Sequence, residues 1–392
     1  MKGKEFSYHS RILVLADDFS GACEIGGVGW RFGLEVIILF HEDLENSCLE
    51  SLWSEYQLII IDTETRNMDF MEAAKRVGSI FSRLKFVCQD AKLFKKIDSA
   101  LRGPILSEIF EIMELGTHSR GLIVPGNPSK NRVVFNGELL VNSKPLHLTS
   151  IGLDSFWPRQ TSSVEELLGD RKMNPMPYAH FRTKEEIPKM GVFSFDVTSR
   201  AEIVRLMEDT DIEDFYCGSS DVFEVYLEKL GFILCRKEEP KISFEPPFLL
   251  INGSKIVDKD ELRLMDRFDC IDFMVPVTFN KAVEMANRIY HEIKNGFGIY
   301  LHVNGIEKGN RILGLRIEKF YKKFSKAIFK RIGNKRLNIF VTGGATAESV
   351  LQSMEVGGFT IIGEHSPGVV TLKPFSREHI TITVKPGSYA WN

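Results

Sequence analysis

The run Ile12–Ala16, ILVLA, is apolar without alternation and stops at two adjacent aspartates, Asp17 and Asp18. An unbroken apolar run of strand length suits a strand covered on both faces, the situation inside a parallel sheet. The pattern recurs. Leu34–Phe40, Gln57–Asp62, Gly121–Pro125, Phe248–Asn252, Gly298–Val303 and Leu337–Thr342 share this character, and segments of helical periodicity lie between them. Such a chain folds as α/β, with mostly parallel sheets and helices on both faces. Open sheets of this kind bind ligands outside the carboxyl ends of their strands, so the polar residues that end each run are the first candidates for function.

Asp17 and Asp18 head that group. Ser20 is placed to cap the helix that follows, expected over Ala22–Phe32, and Gly21, Gly26, Gly27 and Gly29 let backbone or ligand come close. The bland alternative is a helix that favours acids in its first turn. Arg66, after the third strand, falls on the same rim; a surface salt bridge is its other reading. Lys96, Asp98, Ser99 and Arg102 follow within seven residues at the next strand end, with Gly103 and Pro104 fixing the turn. A guanidinium clamps a carboxylate or phosphate, a lysine supplies a point charge, and an aspartate accepts a hydroxyl proton. Together they suit an anionic polyol, unless Asp98 and Arg102 simply pair with each other at a helix cap. Asn136-Gly137 between RVVF and ELLV signals a hairpin with a type I′ turn. Residues 150–186 read as a loop-rich excursion.

With 392 residues the chain exceeds one ordinary core, and the charged, proline-rich stretch Lys237–Pro247 divides it into domains at 1–240 and 248–392. A net charge of −3 and no long basic run argue against a nucleic-acid partner. The six cysteines show no CxxC pair, so they suggest neither zinc nor disulfides and read as buried thiols. No apolar run reaches membrane-spanning length, and the first residues, MKGKEFSYHSR, lack a signal core, so the expectation is a cytoplasmic protein with no membrane partner. A homo-oligomer is compatible with all of this.

In the second half, LNIFVT runs into Gly343-Gly344-Ala345-Thr346 and a helix extending to Met354. Free amides and the helix dipole converge on such a turn, which makes it an anion cradle suited to phosphate. Gly363-Glu364 and Pro367-Gly368 read as tight turns, and the basic face of Arg311–Ile332 reads as solvated. No Walker-type phosphate loop and no Gly-x-Gly-x-x-Gly fingerprint occurs.

Several separated pieces resemble the four-carbon acid sugar kinases: ADDFSGA at 16–22, DTETR at 62–66, KIDSALRG at 96–103, GELLVNSKPLHLT at 137–149, NGS at 252–254, GGATA at 343–347, GEHSPGV at 363–369 and KPG at 385–387. They occur in the family's order across nearly the whole chain, with departures at PGNPSKNR, at Gly218–Asp221 and at Ser20. The resemblance implies two α/β domains with the active site in the cleft between them, the first binding a small anionic sugar acid and the second ATP. It implies an acid site of Asp17, Asp18, Arg66, Lys96, Asp98, Ser99 and Arg102, and a nucleotide site of Ser254, Gly343, Gly344, Ala345, Thr346 and Gly387. Phosphoryl transfer then needs Asp18 or Asp98 as base, Arg66, Arg102 or Lys96 on the substrate carboxylate, Mg²⁺ on the nucleotide phosphates, and domain closure. No metal ligands are assigned, although one of the two aspartates could instead help to place Mg²⁺. Two rivals remain open. One is a nicotinamide-dependent dehydrogenase, with Glu42 as its ribose acid and Asp17 and Asp18 in unfavourable apposition to pyrophosphate. The other is a sugar-acid sensor without catalysis.

Overall fold

The computed structural model describes residues 11–45, 49–86, 90–116, 118–154, 157–169, 177–181, 187–235, 241–253, 266–268, 270–275, 281–303, 311–387 and 391. The chain divides into two compact units, Met1–Cys235 and Arg236–Asn392.

The first unit runs β1 (Ile12–Ala16), α1 (Phe19–Arg31), β2 (Val36–Phe40), α2 (Leu49–Glu55), β3 (Leu58–Asp62), α3 (Phe70–Leu84), β4 (Lys92–Lys96), α4 (Ile105–Leu115) and β5 (Arg120–Val124). It continues with β6 (Arg132–Phe135), β7 (Glu138–Val141), β8 (Lys144–Pro145), α5 (Val164–Leu167), β9 (Tyr178–Phe181), β10 (Gly191–Phe195), α6 (Arg200–Glu208), β11 (Phe215–Gly218) and α7 (Ser220–Lys229). The main sheet has the order β2-β3-β1-β4-β11-β5-β10-β9, and each adjacent pair is parallel. All five residues of β1, β2 and β3 are buried, as continuous apolar runs require. Each buried Val, Leu, Ile or Phe among them contributes about 1.5–3 kcal/mol on leaving water. Helices fall into two groups, α1 with α7 and α6, and α3 with α4, in keeping with layers on both faces.

Two expectations are corrected in this unit, the cap of α1 and the burial of every cysteine. Helix α1 begins at Phe19 and its cap is Asp18, whose side chain accepts from the Gly21 amide, not Ser20. Gly21, Gly26, Gly27 and Gly29 therefore lie inside a helix. A Cβ at Gly29 would meet Leu58 Cδ2 at 2.3 Å, so this glycine serves close packing of α1 on β3. The region read as loop-rich holds α5 and the edge strand β9. The β6–β7 hairpin forms as expected, with both Asn136 (φ 52) and Gly137 (φ 77) in the left-handed region that a type I′ turn demands. Of the described cysteines, Cys23 and Cys217 are buried, whereas Cys235 is exposed and Cys270 half-buried.

The second unit contains β12 (Phe248–Asn252), β13 (Ile271–Met274), the helix Ala282–Lys294, β14 (Gly298–His302), the helix Arg311–Ile332, β15 (Leu337–Thr342), the helix Gly344–Gln352, β16 (Phe359–Ser366), β17 (Val369–Pro374) and β18 (Ile380–Lys385). Its order is β13-β14-β12-β15-β18-β17-β16, parallel through β18 and antiparallel beyond. Phe248, Leu250, Tyr300, Phe340, Val369 and Trp391 form a core cluster, and Phe244 and Phe268 pack on it. Gly363-Glu364 is not a turn: it lies inside β16, where the register shifts against β17. Pro367-Gly368 does turn the hairpin. Of the helix expected after Gly253, only residues 266 and 267 fall among the described residues, and both are helical. Among the described residues no helix is long and apolar enough to cross a membrane.

Candidate functional site

In the first unit the adjacent parallel strands place Ala16 beside both Asp62 and Lys96, so the residues following β1, β3 and β4 share one sheet edge. Arg66 reaches back across that edge. Its Nε and Nη2 form a fork on Asp17 Oδ2 and Oδ1 at 2.8 and 2.9 Å, and Nη1 bonds Asp18 Oδ2. The Thr65 and Arg66 amides both donate to the Asp17 carbonyl at 3.1 Å, fixing the turn, and Trp157 Nε1 holds the Arg66 carbonyl at 2.8 Å. The side chains of Arg66 and Asp17 are 14% and 3% exposed, so this is no surface salt bridge.

Burial acts to raise the Asp17 carboxyl, but the charges of Arg66, Lys95 and Lys96 more than offset it and hold Asp17 below its ordinary range. Asp18 goes the other way. Burial raises it, Asp17 adds to the rise, and Arg66 offsets only part. Its Oδ1 takes the Gly21 amide at 2.7 Å. Gly21 must be small: a Cβ there would sit 2.9 Å from Asp18 Oδ1 and 3.2 Å from Lys96 Nζ.

After β4 the chain turns through Leu101, a non-glycine residue at φ 55, and Gly103 at φ 98. Asp98 lies under this turn, paired with Arg102 through Nε at 2.6 Å and Nη2 at 3.1 Å, while Arg102 Nη1 also bonds Asp154 at 3.0 Å. The internal pairing that the sequence left open is thus realised, within the candidate site. Against the effect of burial, Arg102 and then Arg66 hold Asp98 well below the usual carboxylate range. Lys96 Nζ donates to the Ile97 carbonyl at 3.0 Å and faces Glu24 at 3.6 Å, and Ser99 Oγ accepts from Arg132 at 2.5 Å. All seven acid-site residues named from the sequence therefore gather on one rim.

Others were missed. Lys95 and Glu108 form an ion pair at 2.7 Å with side chains 0% and 1% exposed, beneath Asp17. Glu24 is held to about 2 by Lys130 and Lys96 against its burial. The signal for Lys95 was available: tandem lysines in a central strand point to opposite faces, and both need partners. Glu108, thirteen residues away on α4, carries no such mark.

In the second unit Asn252 lies beside His302 and Thr342, and Thr342 beside Lys385, so four strands end on one edge. Gly343 (φ 103) donates to the Lys385 carbonyl at 2.9 Å, and Gly253 to the Thr342 carbonyl at 3.1 Å. The helix Gly344–Gln352 starts without a side-chain cap, leaving its first amides to the turn. Thr346 is buried, Gly343 and Gly344 half-buried and Ala345 exposed. A Cβ at Gly253 would come within 1.7 Å of Thr346 Oγ1, so only glycine allows the two turns to meet. Lys385 is 1% exposed, with its ammonium 5.4 Å over the Trp391 ring; the sequence reading took only the half-buried Gly387 from this segment. Ser254 lies outside the described residues.

Residues 12–215 match the model of a sugar-binding N-terminal domain, and residues 301–389 that of a nucleotide-binding C-terminal domain. The chain belongs to the four-carbon acid sugar kinase family. Among curated members it is 26% identical over 187 residues to a D-threonate kinase of Salmonella typhimurium, covering 48% of this chain and 40% of that protein. It is 28% identical over 178 residues to a D-erythronate kinase of Heliobacterium modesticaldum, covering 44% and 39%. The matches thus span about two fifths of these relatives. In fold, the chain is similar to a crystal structure from Salmonella typhimurium LT2 (TM-score 0.76, 16% identity, 97% and 96% covered). It is also similar to a Haemophilus influenzae protein of the DUF1537 family (TM-score 0.69, 17% identity, 97% of each chain).

Proposed function

We propose that the chain transfers the terminal phosphoryl group of ATP to a hydroxyl of a small, four-carbon sugar acid. The observation that carries this reading is the rim of the first unit: arginines, a lysine, a serine and aspartates converge there, inside the segment that matches a sugar-binding domain. The relatives named D-threonate and D-erythronate kinase support an acid of this class.

Of the two candidate bases, Asp18 suits the role better. Its carboxyl is raised, its side chain is 20% exposed, and α1 and Arg66 fix its orientation. Asp98 is 6% exposed, locked by Arg102 and held low, which makes it a poor proton acceptor. Arg102, with its side chain 25% exposed against 14% for Arg66, is the more accessible guanidinium for the substrate carboxylate, although it too holds carboxylates, Asp98 and Asp154. The uncapped turn at Gly343–Thr346 suits the nucleotide phosphates. Asp17, Asp18 and Asp98 are each engaged by an arginine, which does not fit a metal held by these three carboxylates. Mg²⁺ accordingly belongs to the nucleotide as MgATP, where it neutralises phosphate charge. Coupled ADP release across threonate, erythronate and their epimers tests the proposal; release with none of them would reject it.

A further inference from the structure

Asp62 ends β3 beside Ala16, one residue from the Asp17–Asp18 pair, and no part of its side chain reaches solvent. Its Oδ1 accepts the Glu64 amide at 3.1 Å, while Oδ2 is buried with no hydrogen-bond partner. The groups facing it are acids or a thiol: Glu64 on its own turn, Asp17 and Asp18 at the end of β1, and Cys23 from α1. The neighbouring basic groups serve other carboxylates. Arg66 holds Asp17 and Asp18, and His41 and Arg76 face Glu64 at 2.9 and 3.8 Å. An ionised carboxylate in such a place would pay for desolvation and like-charge repulsion together, with one amide and no cation to offset them.

We propose that Asp62 is a neutral carboxylic acid and the positioning residue for the Arg66 fork: it anchors residue 64 in the left-handed region, which aims the 64–66 turn at Asp17 and Asp18. Glu64 sits at φ 52, a conformation a non-glycine residue keeps only when its surroundings hold it. The next two amides, of Thr65 and Arg66, converge on the Asp17 carbonyl. Burial and then the charges of Glu64, Asp18 and Asp17 push the Asp62 carboxyl well above the ordinary carboxylate range, in agreement with the geometry. Only the link to turnover rests on the kinase reading.

Urea unfolding of wild type, Asp62→Asn and Asp62→Ala between about pH 5 and about pH 9 reads the protonation without reference to any substrate. A group whose folded pKa is raised contributes stability below its unfolded pKa and loses it as pH rises towards the folded value. The folding constant of Asp62→Asn relative to wild type should therefore climb by up to about tenfold per pH unit until the wild-type acid ionises. Asp62→Ala, lacking the acceptor for Glu64, should show the same slope from a lower start. A flat or falling ratio, or an Asp62→Asn protein that does not fold, would overturn the neutral acid. For the positioning role, Asp62→Ala combined with Arg66→Met should be non-additive by at least about fivefold in the unfolding constant, and additivity would overturn it. In the ADP assay Asp62→Ala should raise KM for the acid about tenfold or more, and Asp62→Asn should restore it. Absence of any ADP release would reject the kinase reading and leave both unfolding tests decisive for Asp62.

Discussion

Replacing Arg66 by methionine removes three side-chain hydrogen bonds at once, two on Asp17 and one on Asp18. Asp17 is 2% exposed, so water cannot take over freely. Deleting one partner of a buried ion pair costs about 3–5 kcal/mol, because the other charge is left unpaired. Here two adjacent carboxylates lose the same partner, while the backbone bonds of residue 66 to Asp17 and Trp157 survive. The loss should fall near about 4 kcal/mol at neutral pH. Its pH dependence has a definite sign. Asp17 is held below its unfolded value of 3.8 with the help of Arg66, so that stability is present above 3.8 and disappears as pH falls through the folded value. The gap between wild type and variant should therefore narrow on acidification. Arg66→Lys keeps the charge but presents one nitrogen in place of three, and should lose about half as much. Urea unfolding of all three proteins at neutral pH and at a series of pH values below 3.8 measures both effects. A loss under about 1 kcal/mol at neutral pH, or a gap that widens in acid, would refute the reasoning.

Asp18→Asn should lower turnover by about 10² to 10⁴ if Asp18 is the base, whereas Asp98→Asn should act mainly on KM; steady-state kinetics separate them, and the reverse pattern reassigns the base. Lys95→Met strands Glu108 and should cost about 3–5 kcal/mol in denaturation, with most of it regained in the Lys95→Met/Glu108→Leu double variant; two additive losses would contradict an ion pair. Gly253→Ala forces a Cβ onto Thr346 and should weaken ATP binding, read by calorimetry, more than it weakens binding of the acid.

Much of the fold was legible because strands buried on both faces must be largely apolar, so β1, β3, β12 and β15 announce themselves without an alternating pattern. Their carboxyl ends then locate both rims. Harder to read was anything that depends on a partner distant in sequence. Ser20 is as good a cap as Asp18 in composition, and only the Asp18–Gly21 hydrogen bond decides between them. Gly363-Glu364 looks like a turn, yet a bulge lets β16 continue past it. The Asp98–Arg102 pairing was visible at a spacing of four, but its burial and the added hold of Asp154, more than fifty residues on, were not. Asp62 opens the DTETR piece, but the three acids and the thiol around it appear only once β1, β3 and α1 are assembled.

The central claim, that the N-terminal rim presents an acid's hydroxyl for phosphoryl transfer from ATP, is met most directly by ADP release from the purified chain with MgATP and each four-carbon acid in turn, wild type beside Asp18→Asn. The account predicts acid-dependent release by wild type, reduced by about a hundredfold or more in the variant. Release that is independent of the acid, or unchanged by Asp18→Asn, would contradict it.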